Sequence, residues 1–336
     1  MVHVAGLDAV EIYQGDCIEV MKSMEDNSID SIVTDPPYGL SFMGHQWDEL
    51  PPGAEWAEQC RRVLKPGGHL LSFGGTRTWH RLACAIEDAG FEIRDSIAWL
   101  HSQGWPKSLD VSKQLSKSTG EQDERWQGWG TNLKPSFEPI VVGRKSLTGT
   151  VASNILEYRT GGLNIDACRV RGENSNRGRH PTNVVLDEVQ AELLDAETAH
   201  LKAGGSIEKD GKGAGVRQDN VAIYGRDTSE RGAWEPYGDS GGASRFYPVF
   251  HYSAKATKQE RPAVDGTVHS TVKPLELMRW LVKLVTPDSG TVLDPFAGSG
   301  TTIEACILEG FRCIGIEREP SYLPLIQQRI SRHLLV

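Results

Sequence analysis

Strand-like and helix-like segments alternate along most of this chain, and the alternation limits the folds that it can adopt. Because strands joined through helices run parallel and bury both sheet faces, the pattern predicts an α/β fold: a mostly parallel sheet with helices on both faces. The predicted strands lie at 11–13, 29–34, 69–73, 93–99, 139–142, 291–294 and 312–317, and the predicted helices at 53–64, 76–88, 274–285 and 301–309, with a final helix ending near 332. The sequence "KPGG" at 65–68 is expected to end the first of these helices.

Residues 146–250 interrupt this alternation. They are rich in glycine, serine, asparagine and arginine, and only 187–199 has the pattern of a short amphipathic helix. The apolar and aromatic stretch 244–252 indicates a segment that packs rather than a disordered one. We therefore predict a catalytic domain made of 1–145 and 251–336, with 146–250 inserted as an irregular region.

Composition limits the cellular setting but does not exclude a nucleic-acid partner. The net charge is −9, yet 141–181 holds seven lysines and arginines against three acidic residues, which fits either a solvated face or a phosphate-binding surface. Six scattered cysteines without a C-x-x-C pair predict reduced thiols in a cytoplasm and argue against a structural zinc site. The start of the chain lacks a signal-peptide pattern, and the apolar stretches are strand-sized, so we expect no membrane association.

The sequence "DPPY" ends an apolar strand in an unusual way. The run 29–34 stops at Asp35, and the residues that follow are Pro36, Pro37 and Tyr38. Prolines cannot continue a strand ladder and make a stiff loop. In open α/β sheets the carboxyl ends of strands are where ligands bind. The loop is therefore a candidate site, although a simple turn with a solvated aspartate would have the same sequence.

A glycine-rich turn near the C-terminus has the pattern of a nucleoside site. The strand that ends at Asp294 leads through Gly298 and Gly300 into a helix, and Glu317 follows 19 residues after Gly298, at the distance of a ribose-binding carboxylate. A P-loop would need a lysine after the second glycine, and a dinucleotide fold would need a third glycine where Ile303 stands. The remaining alternative is a turn that serves close packing alone.

Together the two motifs resemble S-adenosylmethionine (SAM)-dependent amino-methyltransferases of DNA. "DPPY" (35–38) matches the catalytic tetrapeptide of that family, and "DPFAGSGTT" (294–302) matches its cofactor loop. Their order in the chain resembles the circularly permuted beta class, which includes site-specific methylases of phages and prophages. Further matches lie at 15–16, 64–75, 132–145 and 269–278. The resemblance implies a Rossmann-like methyltransferase sheet and places target recognition in 146–250, where Arg169, Arg171, Arg177 and Arg179 could contact phosphates or guanines.

The resemblance also implies roles for the catalytic residues. The Asp35 carboxylate and the Pro36 carbonyl would accept hydrogen bonds from the target amine, since a proline carbonyl accepts without a competing N–H. Pro37 would stiffen the loop, and Tyr38 would stack on a base flipped out of the duplex. Residues 39–52 could form a lid over DNA, with Trp47 or His45 near the flipped base; a fixed surface loop is the alternative.

For the cofactor, the resemblance implies a set of residues around the glycine-rich turn. Glu317 would bind the ribose, Asp16 would meet the adenine amine, and Asp294 would orient the loop. Lys273 would approach the methionine carboxylate or cap the helix that begins at Pro274. The loop residues expected to line the cofactor are Phe296, Ala297, Gly298, Ser299, Gly300, Thr301 and Thr302.

The expected substrate is double-stranded DNA, methylated at N6 of adenine. The tetrapeptide begins with aspartate, which the family pairs most often with adenine, whereas N4 of cytosine fits the same pair of acceptors. An RNA methyltransferase, a catalytically silent DNA-binding module and a nicotinamide oxidoreductase are less favoured. The expected cofactor is SAM, without a metal. The sequence leaves open whether the chain forms a homodimer and whether a separately encoded restriction endonuclease is its partner.

Overall fold

The computed structural model describes residues 9–40, 51–102, 104, 106–121, 123–170, 178–198, 201–202, 240–250 and 261–333. The strands are β1 (Val10–Gln14), β2 (Ile29–Thr34), β3 (Leu64–Phe73), β4 (Phe91–Leu100), β5 (Phe137–Lys145), β6 (Val184–Asp187), β7 (Leu201–Lys202), β8 (Ser240–Gly241), β9 (Val249–Phe250), β10 (Ala263–Val264), β11 (Thr267–Val268), β12 (Thr291–Asp294) and β13 (Arg312–Glu317). The α-helices are α1 (Cys17–Lys22), α2 (Ala54–Val63), α3 (Trp79–Asp88), α4 (Val111–Thr119), α5 (Val151–Tyr158), α6 (Glu188–Thr198), α7 (Leu275–Val285), α8 (Thr301–Glu309) and α9 (Leu323–Ser331).

One large sheet organises these elements, in the strand order β1-β13-β12-β2-β3-β5-β4-β6-β9. Its neighbouring strands run parallel except at β5, which is antiparallel to both β3 and β4. The remaining described strands form two short antiparallel pairs, β7–β8 and β10–β11. The predicted fold class is therefore confirmed.

The strand order reverses between β12 and β2. From β12 the chain passes through α8 to β13 on one side, whereas from β2 it passes through α2 to β3 on the other side. Such a reversal is a topological switch point, where the diverging connections leave a crevice beyond the carboxyl ends of the two strands. The "DPPY" loop follows β2 and the glycine-rich turn follows β12, so the fold brings the two motifs to this crevice.

The reversed strand β5 contributes its beginning to the same edge of the sheet. Phe137, its first residue, pairs with Leu100 at the end of β4, and Ile140 pairs with Phe73 at the end of β3. Because β5 runs the opposite way, residues at its start lie beside the carboxyl ends of the other strands. A side chain at position 138 can therefore contribute to the crevice.

The sheet has a separate apolar core on each face, because neighbouring residues of a strand point to opposite sides. On β3, for example, Leu70 packs in the cluster that contains Trp56 of α2, and Leu71 packs in the cluster that contains Leu281 of α7. All of these side chains are buried. Helices therefore cover both faces, as the alternation of elements predicts.

The "KPGG" segment differs from its predicted role. Helix α2 does end at Val63, where the N–H of Leu64 still bonds to the Cys60 carbonyl, but 65–68 forms part of β3 rather than a helix-ending turn. The reason is close packing: a Cβ at Gly68 would lie 2.9 Å from the Asp30 carbonyl oxygen. The glycine thus allows β3 to approach β2.

The described part of 146–250 is more regular than the sequence indicates. The predicted helix is present as α6, and α5 adds another that the sequence did not reveal. In addition, β6 pairs with β4 and β9 pairs with β6, so this region extends the main sheet. The division into a catalytic domain and an inserted recognition region stays a prediction. No described helix is long and apolar enough to cross a membrane.

Candidate active site

The glycine-rich turn after β12 is held by its own backbone and by Glu317. Gly298 and Gly300 have φ values of +53° and +82°, which glycine adopts without the strain that side chains impose. The Glu317 carboxylate accepts hydrogen bonds from the N–H of Gly298, at 2.7 Å, and from the N–H of Glu319, at 2.8 Å. The carboxylate thus ties the turn to the end of β13.

The other predicted loop residues surround this turn. Phe296 packs on Trp56, with ring centroids 5.8 Å apart. The Ala297 N–H bonds to the Ile316 carbonyl, and the Ser299 carbonyl accepts from Arg329. Thr301 and Thr302 are buried in the first turn of α8.

Asp16 lines the same pocket as the glycine-rich turn and begins helix α1. Its carboxylate accepts hydrogen bonds from the N–H groups of Ile18 and Glu19, which makes it the N-cap of α1. The preceding Gly15 donates to the Glu317 carbonyl. Asp16 is therefore near the cofactor loop as predicted, and a contact with adenine stays a prediction.

The "DPPY" loop carries a cluster of charged groups. The Tyr38 hydroxyl lies 2.9 Å from Asp35 Oδ1 and 2.8 Å from Glu138 Oε2. Lys273 Nζ donates to Asp35 Oδ2 at 2.6 Å and lies 3.3 Å from Glu138 Oε2. His101 Nε2 lies 3.8 Å from Glu138 Oε1. The Glu138 carboxylate is therefore the point where four distant segments of the chain meet: its own segment and those that carry Tyr38, His101 and Lys273.

Burial controls the ionisation of this cluster. It raises the pKa of Asp35, as does the Glu138 charge, while Lys273 and Tyr38 act against the rise. Burial also raises the pKa of Tyr38 well above its ordinary value. The pKa of Lys273 is raised, because the neighbouring Asp35 and Glu138 together outweigh the lowering effect of burial. The two acidic groups thus favour the cationic form of Lys273.

His101 and Glu138 are the functional candidates that the sequence did not reveal. Burial lowers the pKa of His101, and neither ring nitrogen has a hydrogen-bond partner among the described residues. The two residues lie at the end of β4 and the start of β5. Their proximity depends on the reversed direction of β5. The apolar run at 139–142 predicts a strand but does not reveal its direction.

Lys273 does not cap α7. The N-cap of that helix is Pro274, without a side-chain hydrogen bond, while the ammonium of Lys273 points to Asp35. A cation is unfavourable at the positive end of a helix dipole and favourable beside two carboxylates. The predicted contact with a methionine carboxylate stays a prediction.

A direct contact joins the two motifs. The buried Thr34 hydroxyl, at the end of β2, donates to Asp294 Oδ1 at 2.7 Å, and the N–H of Phe296 donates to the same oxygen. Burial raises the pKa of Asp294 to about 6, against hydrogen bonds from Thr302 and Thr34. Asp294 therefore links β2 to the glycine-rich turn, and its role in orienting a cofactor loop stays a prediction.

Both motifs line a single cavity of about 1090 Å³. That volume exceeds the range of about 300–1,000 Å³ that is usual for one small ligand. Gly298 allows the turn to approach His269 closely, because a Cβ at this position would lie 3.0 Å from His269 Nε2. Pro36 is buried and Pro37 half-buried in the wall. No group of three or more metal-ligating side chains occurs among the described residues.

The recognition arginines have different environments. Arg179 is only 8% exposed, with its guanidinium 4.6 Å from the centre of the Phe246 ring, so the structure contradicts a DNA-contact role for this side chain. Arg169 is paired with Asp166 at 2.7 Å and also donates to the Gly178 carbonyl. Arg171 and Arg177 lie outside the described residues, as do 41–50, which hold most of the predicted lid with His45 and Trp47.

A glycine-rich turn and an aspartate-led loop lie side by side at the switch point of this sheet, which is the arrangement expected of a Rossmann-like methyltransferase. The family model described as DNA methylase, N6_N4_Mtase, matches residues 29–328. The chain therefore belongs to this family of DNA methyltransferases.

Individual relatives match most of this chain. The chain is 24% identical to the type II methyltransferase M.HindIII of Haemophilus influenzae, over 95% of this chain and 94% of the relative. It is also 24% identical to the type II methyltransferase M.HpaI of Haemophilus parainfluenzae, over 94% and 72% of the two chains. The solved structure of the cytosine-N4-specific PvuII DNA methyltransferase is similar in fold, with a TM-score of 0.51, 14% identity and coverage of 98% and 92%.

Proposed function

We propose that this chain methylates the exocyclic N6 of adenine in double-stranded DNA, with SAM as the methyl donor. The observation that carries the proposal is the position of Asp35, whose carboxylate opens into the same cavity as the glycine-rich turn. The aspartate at the head of the tetrapeptide supports adenine as the base. N4 of cytosine offers the same two N–H donors and is the alternative.

The chemistry requires a better nucleophile, because the lone pair of an aromatic amine is delocalised into its ring. SAM supplies an electrophilic methyl group on a sulfonium. Asp35 would accept one N–H of the amine and the Pro36 carbonyl the other, which draws the nitrogen toward tetrahedral geometry and frees its lone pair. Positioning for in-line attack would then supply most of the rate.

The fixed loop supports this role. The Thr78 hydroxyl donates to the Tyr38 carbonyl at 2.5 Å, and Pro36 and Pro37 limit the backbone. The Tyr38 ring would stack on the flipped base, and Lys273 lies 5.3 Å from the ring centre. Base stacking contributes about 1–3 kcal/mol, which offsets part of the cost of unstacking the base.

On the cofactor side, the residues of the turn would bind and orient. Glu317 would hold the ribose hydroxyls with a carboxylate already fixed by Gly298, and Phe296 to Thr302 would line the rest. Asp16 would meet the adenine amine. The start of α8 gives the turn a positive local field, which suits the methionine carboxylate.

The remaining proposals concern recognition and partners. We infer that part of 146–250 reads the target sequence, and that the contacts come from residues other than Arg179. The names of the relatives, type II methyltransferases, support the proposal that a separately encoded restriction endonuclease shares the recognition site. The order of the two motifs along the chain supports assignment to the permuted beta class.

The experiment is methylation of a mixed double-stranded DNA with SAM that carries a labelled methyl group. The DNA is then digested to nucleosides for mass spectrometry, and a parallel reaction uses RNA. We expect label in N6-methyladenine. Label in N4-methylcytosine would overturn the base assignment and keep the mechanism, whereas label in RNA alone would overturn the substrate.

A further inference from the structure

The Tyr38 hydroxyl lies between two acidic side chains. It is 2.9 Å from Asp35 Oδ1 and 2.8 Å from Glu138 Oε2. A phenol has one hydrogen to donate and lone pairs to accept, so it cannot donate to both carboxylates at once. If Asp35 is protonated, its O–H can donate to the phenol oxygen while the phenol donates to Glu138. The three groups then form an unbroken hydrogen-bonded path.

The proposed reaction produces a proton at one end of this path. When the amine nitrogen attacks the methyl carbon, a C–N bond forms, and the C–S bond breaks with its electron pair going to sulfur. The nitrogen then loses one N–H proton, and the nearest acceptor is Asp35. The Asp35 side chain, which is 20% exposed, must lose this proton again before the next turnover.

We propose that Tyr38 and Glu138 form a proton-release path that returns Asp35 to its ionised form after methyl transfer. The proposal rests on the proposed function. In the relay, the Asp35 O–H proton moves to the phenol oxygen while the phenol proton moves to Glu138 Oε2. One O–H bond breaks and another forms at each step, so Tyr38 begins and ends as a neutral phenol.

Glu138 is the group able to pass the proton out. Its side chain is 25% exposed, slightly more than the 20% of Asp35, and it lines the cavity. Its second oxygen, Oε1, faces His101 Nε2 at 3.8 Å. Glu138 can therefore release the proton to the cavity at a point separated from Asp35 by the Tyr38 hydroxyl.

Charged groups from several elements face this path. Lys273 contacts both carboxylates, Asp294 acts on Asp35 from the cofactor side, and His101 is influenced by Asp187 and Lys134. The raised pKa of Asp35, caused first by burial, makes this group a ready proton acceptor. The raised pKa of Tyr38 disfavours a free phenolate, which is consistent with a concerted relay.

The test compares the wild-type enzyme with Tyr38→Phe, Glu138→Gln and the double variant. The measured quantities are the rate of multiple-turnover methylation at saturating SAM and DNA, and its solvent deuterium isotope effect. Phenylalanine keeps the stacking ring, and glutamine keeps the shape of the side chain. Glu92→Gln is the matched control, because Glu92 pairs with Arg144 across the same two strands at the opposite end of β4 and β5.

We expect each single variant to lower the rate by about 10²-fold, the lower range for acid–base catalysis, and to lose the isotope effect. The double variant should be no slower than the singles, because all three interrupt one path. Glu92→Gln should match the wild type. Single variants that keep the wild-type rate and isotope effect, or losses that multiply in the double variant, would overturn the relay.

The design separates the two proposals. A wild-type enzyme that methylates no DNA would mean that the proposed function fails, and the relay with it. A wild-type enzyme that methylates DNA, with variants that contradict the expected pattern, would overturn the relay alone. If Glu138→Gln does not fold, Glu138→Asp and Tyr38→Phe decide the question.

Discussion

The two halves of the site are built in different ways. The proposed cofactor half is local: Asp294, the turn through Gly300 and Glu317 come from one strand–helix–strand unit, and backbone N–H groups hold the Glu317 carboxylate. The catalytic half brings together Asp35, His101, Glu138 and Lys273 from four segments, and side-chain charges hold it together.

This difference predicts different sensitivities. Backbone hydrogen bonds to a carboxylate do not depend on any partner side chain, so substitutions near the cofactor turn should act mainly on binding. A buried ion cluster depends on every member, because removal of one partner leaves an uncompensated charge. Substitutions in the catalytic half should therefore change both stability and the pH dependence of the rate.

The largest expected effect is that of Lys273→Met. It leaves Asp35 and Glu138 close together without their cation. Breaking a fully buried pair in this way costs about 3–5 kcal/mol, which is an upper limit for carboxylates that are 20% and 25% exposed. The pKa of Asp35, which Lys273 lowers, should rise. Because the reaction needs the ionised form, the acidic limb of the pH–rate profile should move to higher pH. Urea unfolding and the pH profile measure the two effects.

Lys65→Met is the matched control for that variant. Lys65 pairs with the buried Asp30 at 2.6 Å, away from the cavity. It should reduce the free energy of unfolding and leave the pH–rate profile in place. The distinction between the Lys273–Asp35 and Lys65–Asp30 pairs would be wrong if the acidic limb moved in Lys65→Met, or if it did not move in Lys273→Met.

Glu317→Gln tests the cofactor half through pH. Burial raises the pKa of Glu317 to about 7, so the carboxylate takes up a proton as the pH falls through 7, and SAM affinity should fall by up to about tenfold per unit. The Glu317→Gln variant should bind SAM weakly. Any change of its SAM affinity with pH should lie near 6, because burial raises the pKa of Asp294 to about 6. Calorimetry on either side of pH 7 measures the SAM affinity of the wild type and of the variant.

The raised pKa of Glu317 has opposite consequences for SAM affinity and for folding stability: as the pH rises, the affinity should increase and the stability should decrease. A folded-state pKa above the ordinary value means that the folded protein binds the proton more tightly than the unfolded chain. The contribution of Glu317 to stability is thus fully present below about 4.5 and is lost as the pH rises through about 7. Glu317→Gln should flatten this part of the stability profile of the cofactor-free protein; an unchanged slope would argue against the raised pKa.

Much of the cofactor half can be predicted from sequence because its determinants are local. Glycines, a strand end and a carboxylate 19 residues later all belong to one unit, and the structure brings Gly298 and Glu317 into contact. His101 and Glu138 could not be predicted, since their proximity follows from the reversed β5 in the middle of a parallel sheet. The two sheet strands within 146–250 are only four and two residues long, which is too short for a periodic pattern.

Gly298→Ala should produce a smaller and purely binding effect. Alanine at φ +53° costs about 1–2 kcal/mol, and its Cβ would crowd His269. We expect the SAM dissociation constant to rise about tenfold, with the rate at saturating SAM unchanged. Gly310→Ala, at φ +76° in open space, should carry similar strain without the binding defect. A lower rate at saturation would show that the turn also affects catalysis.

The smallest effect on SAM affinity and on rate is expected where the two halves meet. Thr34→Val removes the hydroxyl that donates to Asp294 and keeps the shape of the side chain. Loss of this bond should cost about 1–3 kcal/mol in unfolding free energy and should change both SAM affinity and rate by less than about tenfold. Thr34→Ser, which keeps the donor, should restore both. An effect confined to one of the two quantities would mean that the halves are independent at this point.

The most direct test of the account is the single-turnover rate of methyl transfer by Asp35→Ala at saturating SAM, measured together with SAM affinity. We predict a loss of about 10²–10³-fold, the usual consequence of removing one group that stabilises a transition state, with the SAM dissociation constant within about twofold of the wild-type value. A rate that remains close to that of the wild type would contradict the assignment of Asp35 as the acceptor that activates the target amine.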